Sequence, residues 1–475
     1  MADRDAGRMI GSGESEARRI FAVQRAASRA GPAPDAKLRR DRLDRLRTVV
    51  AGNEAALAEA ISEDFGVRSR IETELLEIVP TVSAIRHARR KVLAWMKPER
   101  RRVDPLFQPA RAWVRHEPLG VIGIISPWNY PLQLALSPLV DAIAAGNRAM
   151  VKPSELTPAF SELLRRLMAE RFDEAEVAVV TGGVEVGQAF ASLPFDHLLF
   201  TGSTEIGRKV YQAAAMNLTP VTLELGGKSP ALVCPTYDLG KAARSIAFGK
   251  FVNAGQTCIA PDYVLVPEGR EEAFAQAVLA QVRRSYPEVE ANDDYSGVIS
   301  EGHRQRLTKA VEAARAAGVR VLQHGEASGA KVPPTIVIGA DEKTLFLTEE
   351  IFGPVLPVLG YGSLDEALDF IRVRERPLAL YCFSDGRREQ QRVVDGALSG
   401  GVTINGTLLH VAQENLPFGG VGASGIGAYH GHEGFKRFTH ARAVYKVGFV
   451  NMFEKLGPPW GKVATGLAKR LAKRR

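Results

Sequence analysis

The stretch LGVIGIISPWNYPLQLALSPLVDAIAAGNRAMVKPSE, residues 119–155, has the order strand, helix, strand. LGVIGII is a continuous apolar run of strand length that ends near a proline, which is typical of a parallel strand buried on both faces. The apolar helical segment that follows closes at Gly146 and Asn147, and RAMVKPSE is a second strand. Parallel strands need a crossover connection, so this order predicts a βαβ unit.

The same alternation continues along the chain. VAVVTGG and HLLFTGS each join a strand to a glycine turn, and a new series begins near residue 223 with KSPALVC, a helix at 238–254, DYVLVPEG and a helix at 271–285. Residues 15–65 and 71–98 have helical spacing, broken at GPAPD, and 286–300 is a polar loop. We therefore predict an α/β protein with a Rossmann-like cofactor domain and a second α/β domain. Ligands are expected at the carboxyl ends of the strands.

Length and composition exclude several classes of protein. A chain of 475 residues with 45% hydrophobic and 24% charged residues predicts two or three globular domains. Its three cysteines, Cys234, Cys258 and Cys382, form neither a disulfide framework nor a zinc-ligand spacing. No signal-peptide core and no run of about 20 apolar residues is found. These features predict a cytoplasmic protein without a metal site.

Positive charge is concentrated at the end of the chain. Residues 451–475 hold seven cationic side chains against Glu454, a net charge of +6 out of +8 for the whole chain. The remainder is therefore not a nucleic-acid binder by charge. The tail predicts either a poorly ordered basic end or a short helix through Val463, Leu467 and Leu471 with weak attraction to a membrane surface.

Two further segments alternate like exposed strands. ARAWVRHEP precedes the first buried strand, and HARAVYKVGF lies near the end of the chain without an adjacent helix partner. HARAVYKVGF is expected to pair either with ARAWVRHEP or with another subunit.

Cys258 lies in VNAGQTCIAP, residues 252–261, among glycine, amide and hydroxyl residues. Structural cysteines usually replace small hydrophobic residues, so this polar turn favours a reactive thiol. A thiol is nucleophilic as the thiolate, which needs an electropositive or N–H-rich surrounding. A cysteine protease would need a partner histidine, and none of the nine histidines has such a context.

Glu224 in TLELGGKSP precedes Gly226 and Gly227 and has apolar neighbours. A carboxyl in that setting is expected to have a raised pKa, which suits a general base. The alternative is a surface glutamate at a strand end.

Three strand ends carry polar residues that suit a nucleotide or an oxyanion. In FTGSTEIGRKV, Gly202 and Gly207 flank the start of a helix, where phosphate groups bind, although the stretch is neither GxGxxG nor a P-loop. In VKPSE, Lys152 and Glu155 either hold ribose hydroxyls or form an ordinary charge pair. In SPWNYP, Asn129 offers an amide N–H to an oxyanion.

Seven ordered motifs, SPWNYP, VKPSE, FTGSTEIG, LELGGKSP, GQTC, EEIFGPV and PFGG, resemble the aldehyde dehydrogenase superfamily over roughly residues 20–447. Further likeness is to its class 3 branch, within it to the coniferyl aldehyde dehydrogenase group. The resemblance implies that Cys258 is the nucleophile, Glu224 the general base and Asn129 the oxyanion donor. It also implies a set of cofactor-binding residues: Ser126, Trp128, Lys152, Glu155, Gly202, Ser203, Gly207, Glu350 and Phe352.

The implied reaction is oxidation of an aldehyde to the carboxylic acid through a thiohemiacetal and a thioester on Cys258. The cofactor is NAD, with NADP as an alternative; Glu155 near the adenosine ribose favours NAD, because a 2′-phosphate would face a like charge. Aromatic or medium-chain aldehydes are the expected substrates. The alternatives are a long-chain fatty aldehyde dehydrogenase, a coenzyme A-acylating enzyme, against which Glu224 argues, and a non-enzymatic binding relative.

The resemblance also implies a domain division. The NAD(P)-binding domain is expected at 1–102 and 118–222, the catalytic domain at 223–423, a small β oligomerisation arm at 103–117 and 440–450, and the basic tail at 451–475. The family implies a homodimer or homotetramer, and the class 3 likeness favours the dimer.

Overall fold

The structure is a computed structural model that describes residues 2–473, with side chains from residue 13 onward; Arg474 and Arg475 of the predicted basic tail lie outside the described residues. The helices are α1 (Ala2–Arg29), α2 (Ala36–Ala51), α3 (Glu54–Asp64), α4 (Arg70–Thr73), α5 (Val79–Trp95), α6 (Pro131–Ala145), α7 (Pro158–Ala169), α8 (Val184–Ala191), α9 (Thr204–Ala215), α10 (Leu239–Phe251), α11 (Glu271–Ser285), α12 (Glu301–Ala316), α13 (Leu345–Thr348), α14 (Leu364–Arg372), α15 (Arg387–Gly396), α16 (Gly431–Arg437), α17 (Met452–Lys455) and α18 (Lys462–Ala472). The strands are β1 (Glu99–Arg101), β2 (Arg111–Pro118), β3 (Val121–Ile125), β4 (Arg148–Lys152), β5 (Val177–Val179), β6 (His197–Gly202), β7 (Val221–Leu225), β8 (Pro230–Val233), β9 (Tyr263–Pro267), β10 (Arg320–Gln323), β11 (Thr335–Ile338), β12 (Val355–Tyr361), β13 (Ala379–Phe383), β14 (Gly401–Ile404), β15 (Gly425–Ile426) and β16 (Thr439–Lys446).

The first sheet has six strands in the order β15-β7-β6-β3-β4-β5. Strands β3 to β7 are parallel, and the short β15 is antiparallel to β7. Successive residues of β3 point to opposite sides: Ile122 and Ile124 pack among α2, α5, α6 and α7, whereas Val121 packs among α1, α8 and α9. Helices therefore cover both faces, which explains the unbroken apolar run of β3 and confirms the predicted buried parallel strand.

The second sheet has seven strands in the order β10-β11-β12-β9-β8-β13-β14. All neighbours are parallel except β10, which pairs antiparallel with β11. This confirms the predicted second α/β unit. Strand β7 spans residues 221–225, so the first sheet includes residues on both sides of position 222, where the sequence places a domain boundary.

A third sheet has the order β1-β2-β16. Strand β16 pairs antiparallel with β2 from Arg111↔Lys446 to Pro118↔Thr439, so HARAVYKVGF pairs with ARAWVRHEP, the first of the two predicted pairings. The assignment of this sheet to oligomerisation stays a prediction, as does the division into domains.

Other local predictions are largely confirmed. Residues 286–300 contain no helix or strand, and α18 occupies the predicted helical part of the tail. The expected helix at 71–98 ends at Trp95 and is interrupted by a π-helical turn at Glu74–Ile78. Among the described residues, no helix is both long and apolar enough to span a lipid bilayer.

Candidate active site

A groove of about 430 Å³ runs along the carboxyl ends of β3, β4 and β6. Parallel strands end at one edge of a sheet, and the turns that follow them carry the motifs SPWNYP, VKPSE and FTGSTEIG. Six of the predicted cofactor-binding residues line this groove: Ser126, Trp128, Lys152, Glu155, Gly202 and Ser203. The structure thus brings together residues that lie up to 77 positions apart in the sequence.

The start of α9 faces this groove. The Ser203 side chain caps the helix by accepting a hydrogen bond from the Ile206 N–H at 3.3 Å. Free N–H groups and the helix dipole make this end electropositive. Gly207 does not line the groove: a Cβ there would lie 2.6 Å from Cδ2 of Leu225, so the glycine lets α9 pack closely against β7.

Lys152 and Glu155 form an ion pair of 3.0 Å at the end of β4. The Lys152 side chain is buried, whereas that of Glu155 is 41% exposed. The pair is therefore buried at the lysine and open to solvent at the glutamate, and the choice between a ribose contact and an ordinary charge pair stays a prediction. The ion pair places a carboxylate on the groove wall with a fixed position.

The groove continues into a smaller cavity of about 210 Å³. Its wall includes Asn129, Glu224 and Cys258, the three predicted catalytic residues, together with Glu350 and Phe352. Trp128, Gly202 and Ser203 line both spaces, so groove and cavity are continuous. One side of the cavity comes from the first sheet and the other from the segment that follows α10.

Cys258 is held by a tight turn after α10. Asn253, Ala254 and Gly255 have φ values of +51°, +49° and +74°, a left-handed conformation that is costly for alanine. The Gln256 side chain ties the turn down by donating to the Asn253 and Gly297 carbonyls, each at 2.9 Å. These bonds fix the backbone that carries the thiol.

Asn129 is fixed from several sides. Its carbonyl accepts from Arg68 at 3.0 Å and from the Asn253 side chain at 2.9 Å, and its own Nδ2 donates to the Gln256 carbonyl at 3.1 Å. An amide nitrogen carries two N–H groups, which leaves the second for another acceptor. Arg68 is itself buried against Glu77 at 3.1 Å.

Glu224 is 2% exposed, and no described residue hydrogen-bonds to either of its carboxyl oxygens. Burial raises the pKa of Glu224 well above its usual range, and the charge of Arg437 opposes the shift. The raised pKa expected from the sequence is confirmed, while the alternative of a surface glutamate is wrong.

Cys258 differs from expectation in its electrostatics. Burial and the charges of Glu350 and Glu224 raise the pKa of the thiol to about 12, and the backbone N–H groups of Cys258 and Ile259 only partly offset this. The predicted N–H-rich surrounding is present, but the surrounding is not electropositive in the protein alone, because two carboxyls share the cavity. A base or an added positive charge is needed to form the thiolate.

Glu350 approaches the cavity beside Gly226, where an added Cβ would lie 1.9 Å from its Oε2. Burial raises the pKa of Glu350 to about 8, and nearby Asp262 acts in the same direction. Lys228 anchors this segment: it pairs with Asp262 and donates to the Glu349 carbonyl at 2.8 Å.

Phe352, Trp128 and His303 form an aromatic wall. The rings of Trp128 and Phe352 meet edge to face with centroids 5.4 Å apart. Nε2 of His303 lies 2.7 Å from the Phe352 carbonyl and holds a residue whose φ is +48°. This hydrogen bond supports the left-handed backbone of Phe352.

Sequence reasoning missed four supporting residues: Arg68, Gln256, His303 and Arg437. Gln256 lies within the GQTC motif and was open to detection there. Arg68 and Arg437 carry no local signal, because their roles depend on contacts with residues more than 60 positions away.

A doubly wound sheet with a strand-end groove, joined to a cavity that holds a thiol, a carboxyl and an amide, defines the class of dinucleotide-dependent enzymes with a cysteine nucleophile. The chain belongs to the aldehyde dehydrogenase family, whose sequence profile matches residues 3–444.

Similar proteins support the family. The chain is 49% identical over 453 residues to the "Probable coniferyl aldehyde dehydrogenase" of Pseudomonas aeruginosa, with 95% of each chain covered. A substrate-bound structure of AldH from Staphylococcus aureus has a TM-score of 0.91 and 38% identity, covering 96% of this chain and 99% of that one. An NAD-dependent aldehyde dehydrogenase structure from Sinorhizobium meliloti has a TM-score of 0.83 and 29% identity, with coverage of 92% and 88%.

Proposed function

We propose that this protein oxidises an aromatic aldehyde of the coniferyl aldehyde type to the carboxylic acid, with NAD as oxidant and Cys258 as nucleophile. The observation that carries the proposal is the common cavity of Cys258, Glu224 and Asn129, which opens into the groove at the strand ends. The similar Pseudomonas aeruginosa protein supports the substrate type.

The residues of the groove fit a dinucleotide. Ser126 Oγ and Thr201 Oγ1 line it and lack hydrogen-bond partners among the described residues, so both are free to bind a polar ligand. Lys152 and Glu155 would hold the adenosine ribose, and Ser203 with the α9 N–H groups would hold the pyrophosphate. Glu350 and Phe352 would hold the nicotinamide ribose and ring. When bound, NAD would accept a hydride, which is one proton and two electrons, from the former aldehyde carbon.

The chain's own residues account for the remaining steps. Cys258 Sγ attacks the carbonyl carbon, and the resulting oxyanion accepts hydrogen bonds from Asn129 Nδ2 and the Cys258 N–H. Each such donor contributes about 2.7–4 kcal/mol. After oxidation of the thiohemiacetal, Glu224 takes a proton from water, which attacks the thioester. The carbon–sulfur bond breaks, the Cys258 thiolate takes the proton held by Glu224, and the acid loses its remaining proton to solvent and leaves as the carboxylate.

Two carboxyls are available to take the thiol proton, Glu224 and Glu350, since both line the cavity that holds Cys258. Their own raised pKa values make each a stronger base than an exposed glutamate once ionised. We assign hydrolysis to Glu224, because both its oxygens are without hydrogen bonds among the described residues.

The second candidate substrate is a long-chain fatty aldehyde. Coenzyme A acylation is disfavoured because Glu224 provides a base for hydrolysis. The small sheet is proposed as the contact of a homodimer, or of a homotetramer, since β16 forms its edge and leaves one side without a strand partner in the described chain.

The test is a panel of aromatic, medium-chain and long-chain aldehydes with NAD and NADP, followed by the absorbance of the reduced cofactor, with and without coenzyme A. We expect the highest kcat/KM with a coniferyl-type aldehyde and NAD, and no dependence on coenzyme A. Turnover should vanish in Cys258→Ala. Acyl-coenzyme A as the product would contradict the assigned role of Glu224.

A further inference from the structure

The carboxyl-terminal part of the chain exposes large apolar side chains. Phe449 is 93% exposed, Val463 74% and Trp460 69%. Exposed apolar patches of this kind mark sites of interaction with a protein or a membrane. We call the surface formed by residues 449–473 the tail surface.

The tail surface is attached to the small sheet through an apolar contact. Phe453 stacks on Phe107 with ring centroids 4.9 Å apart, and both line an adjoining cavity of about 510 Å³. Arg102 lies on the rim of the same cavity. The segment is therefore joined to the folded body at its base. Beyond Phe453, Trp460, Val463 and Leu471 are exposed, whereas Leu456 and Leu467 are half-buried.

Helix α18 separates apolar from cationic side chains. Val463, Leu467 and Leu471 recur at every fourth position and so lie along one side of the helix. By the same spacing, Lys462, Lys469 and Lys473 lie on the opposite side, and Arg470 lies at the border between the two sides, three positions after Leu467. Within the described chain, no residue of α18 is buried. A helix with two such faces and no core to cover is typical of one that lies in the interface of a membrane.

The net charge of the tail helps to distinguish three possible binding partners: a second copy of the chain, nucleic acid and an anionic membrane. The tail has a net charge of +6, against about +2 for the rest of the chain. A second copy would bring the same positive charge to the contact, which disfavours self-association through this surface. Nucleic acid would satisfy the cations, and bases stack on tryptophan, but it offers no apolar layer for Val463 and Leu471. A layer of anionic lipid headgroups satisfies both, because apolar side chains enter the acyl boundary while cations remain at the phosphates.

We propose that the tail surface binds an anionic phospholipid membrane, with α18 lying parallel to the bilayer plane. Trp460, Val463 and Leu471 insert at the boundary between headgroups and acyl chains, and the cations of α18 contact phosphate. The proposal is independent of the aldehyde chemistry, because no residue of 449–473 lines the groove or the catalytic cavity.

The experiment is co-sedimentation of the full chain with vesicles of phosphatidylcholine alone, or with about 30% phosphatidylglycerol, at about 50 and about 500 mM salt. We expect binding to the anionic vesicles at low salt, at least tenfold weaker binding at high salt, and little binding to neutral vesicles. Fluorescence should shift to the blue on binding, and the shift should be lost in Trp460→Phe.

Two variants test the two faces separately. The cationic face is removed by Lys462→Gln, Lys469→Gln, Arg470→Gln and Lys473→Gln together, and the apolar face by Val463→Ser and Leu471→Ser. Each should weaken vesicle binding at least tenfold and leave turnover of a water-soluble aldehyde unchanged. The control carries the same charge change at exposed lysines elsewhere, Lys37→Gln, Lys241→Gln, Lys309→Gln and Lys343→Gln, and should bind like the wild type.

Several results would overturn the proposal. These are equal binding to neutral and anionic vesicles, no binding at all, or binding that the tail variants do not reduce. Capture by DNA in preference to vesicles would identify a nucleic-acid surface instead. Loss of a dimer in the tail variants, seen by sedimentation velocity, would identify a contact between two copies. Turnover measured in parallel keeps each of these results separate from a failure of the proposed oxidation.

Discussion

At the scale of single residues, the cavity brings opposing electrostatic requirements together. In the proposed mechanism, Glu224 needs to be ionised to activate water, yet burial favours its neutral form. Cys258 needs to lose its proton, yet Glu224 and Glu350 both oppose the thiolate. A proton moving from Sγ to either carboxyl relieves the repulsion between them, so the low dielectric favours transfer within the cavity over release to solvent.

Glu224→Gln tests the division of labour between acylation and hydrolysis. An amide cannot take a proton from water, so the steady-state rate should fall by about 10²–10⁴-fold. The first turnover does not need hydrolysis, so a burst of reduced cofactor should remain. Rapid-mixing absorbance measures both phases. Glu312→Gln on the exposed side of α12 is the control, and a Glu224 variant without any burst would disprove the assigned role.

Glu350→Gln tests the electrostatic coupling to the thiol. The pKa of Glu350 is raised to about 8, so its charge appears above that pH and then opposes the Cys258 thiolate. Removing the charge lowers the pKa of Cys258, and each unit raises the thiolate fraction about tenfold. Alkylation of the apo protein by iodoacetamide should therefore be faster in the variant at about pH 9 and nearly equal to the wild type at about pH 6.

The neighbouring Glu349→Gln provides the control for that experiment, because Glu349 is 63% exposed and pairs with Arg306. Its alkylation rate should follow the wild type at both pH values. Equal rates in all three proteins at high pH would show that Glu350 does not act on the thiol.

At the scale of elements, short segments hold the site by close packing. The end of β7 carries Glu224, Gly226 follows the strand directly, and Glu350 passes next to this backbone. The turn after α10 carries Cys258, and the segment after β3 carries Asn129. Glu350 contacts the backbone at Gly226, and Asn129 is hydrogen-bonded to the turn that carries Cys258. A small displacement of one segment therefore moves the reactive group on its neighbour.

Gly226→Ala should displace Glu350, because the new Cβ would lie 1.9 Å from its Oε2. The expected result is a KM for NAD raised at least several-fold with little loss of helical content. Gly302→Ala in α12 is a matched control, since no atom lies within 4 Å of its Cβ position, and removing a helical glycine stabilises by about 0.5–1 kcal/mol. Unchanged kinetics in Gly226→Ala would show that the segment with Glu350 can move away from residue 226 without disturbing NAD binding.

Arg68→Met should destabilise the protein, since it leaves Glu77 buried without its cation and removes a donor from the Asn129 carbonyl. Breaking a buried pair in this way costs about 3–5 kcal/mol. Denaturant midpoints measured by circular dichroism should fall markedly, and kcat should fall in the fraction that remains folded. Arg47→Met at an exposed position of α2 should change neither the denaturant midpoint nor kcat. An unaltered midpoint for Arg68→Met would contradict the expected loss of stability.

These elements also explain what the sequence could predict. Strands β3, β4 and β6 could be predicted, because each is a short apolar run followed by turn-forming residues. Both features are local in the sequence. The roles of Cys258, Glu224 and Asn129 are suggested by their local motifs but assigned through the resemblance of the ordered motifs to a family. The raised pKa of Cys258 could not be predicted, because it depends first on burial in the folded chain and then on the charge of Glu350, which lies 92 positions away in the sequence.

At the scale of the whole molecule, two large sheets serve different parts of one reaction. The six-stranded sheet presents the groove, and the seven-stranded sheet supports the segments that carry Cys258 and Glu350. The turn of Cys258 connects α10 to β9, near the middle of the second sheet, so the thiol is anchored in a well-packed region. The small sheet and the tail surface lie outside this arrangement and are free to serve assembly and localisation.

NAD binding should stabilise the whole molecule independently of the chemistry. A ligand that binds only the folded state stabilises it by about 2.7 kcal/mol at one hundred times its Kd, so Tm rises with NAD concentration. The rise in Tm should persist in Cys258→Ala, which is expected to lack turnover but keeps every residue of the groove.

NADP should give a smaller rise in Tm than NAD, because its 2′-phosphate would face the Glu155 carboxylate. Glu155→Gln should reduce the difference in Tm between the two cofactors. Thermal unfolding with each cofactor measures these shifts. Equal shifts for NAD and NADP in the wild type would remove Glu155 as the basis of cofactor choice, and no shift with either would contradict the assignment of the groove to a dinucleotide.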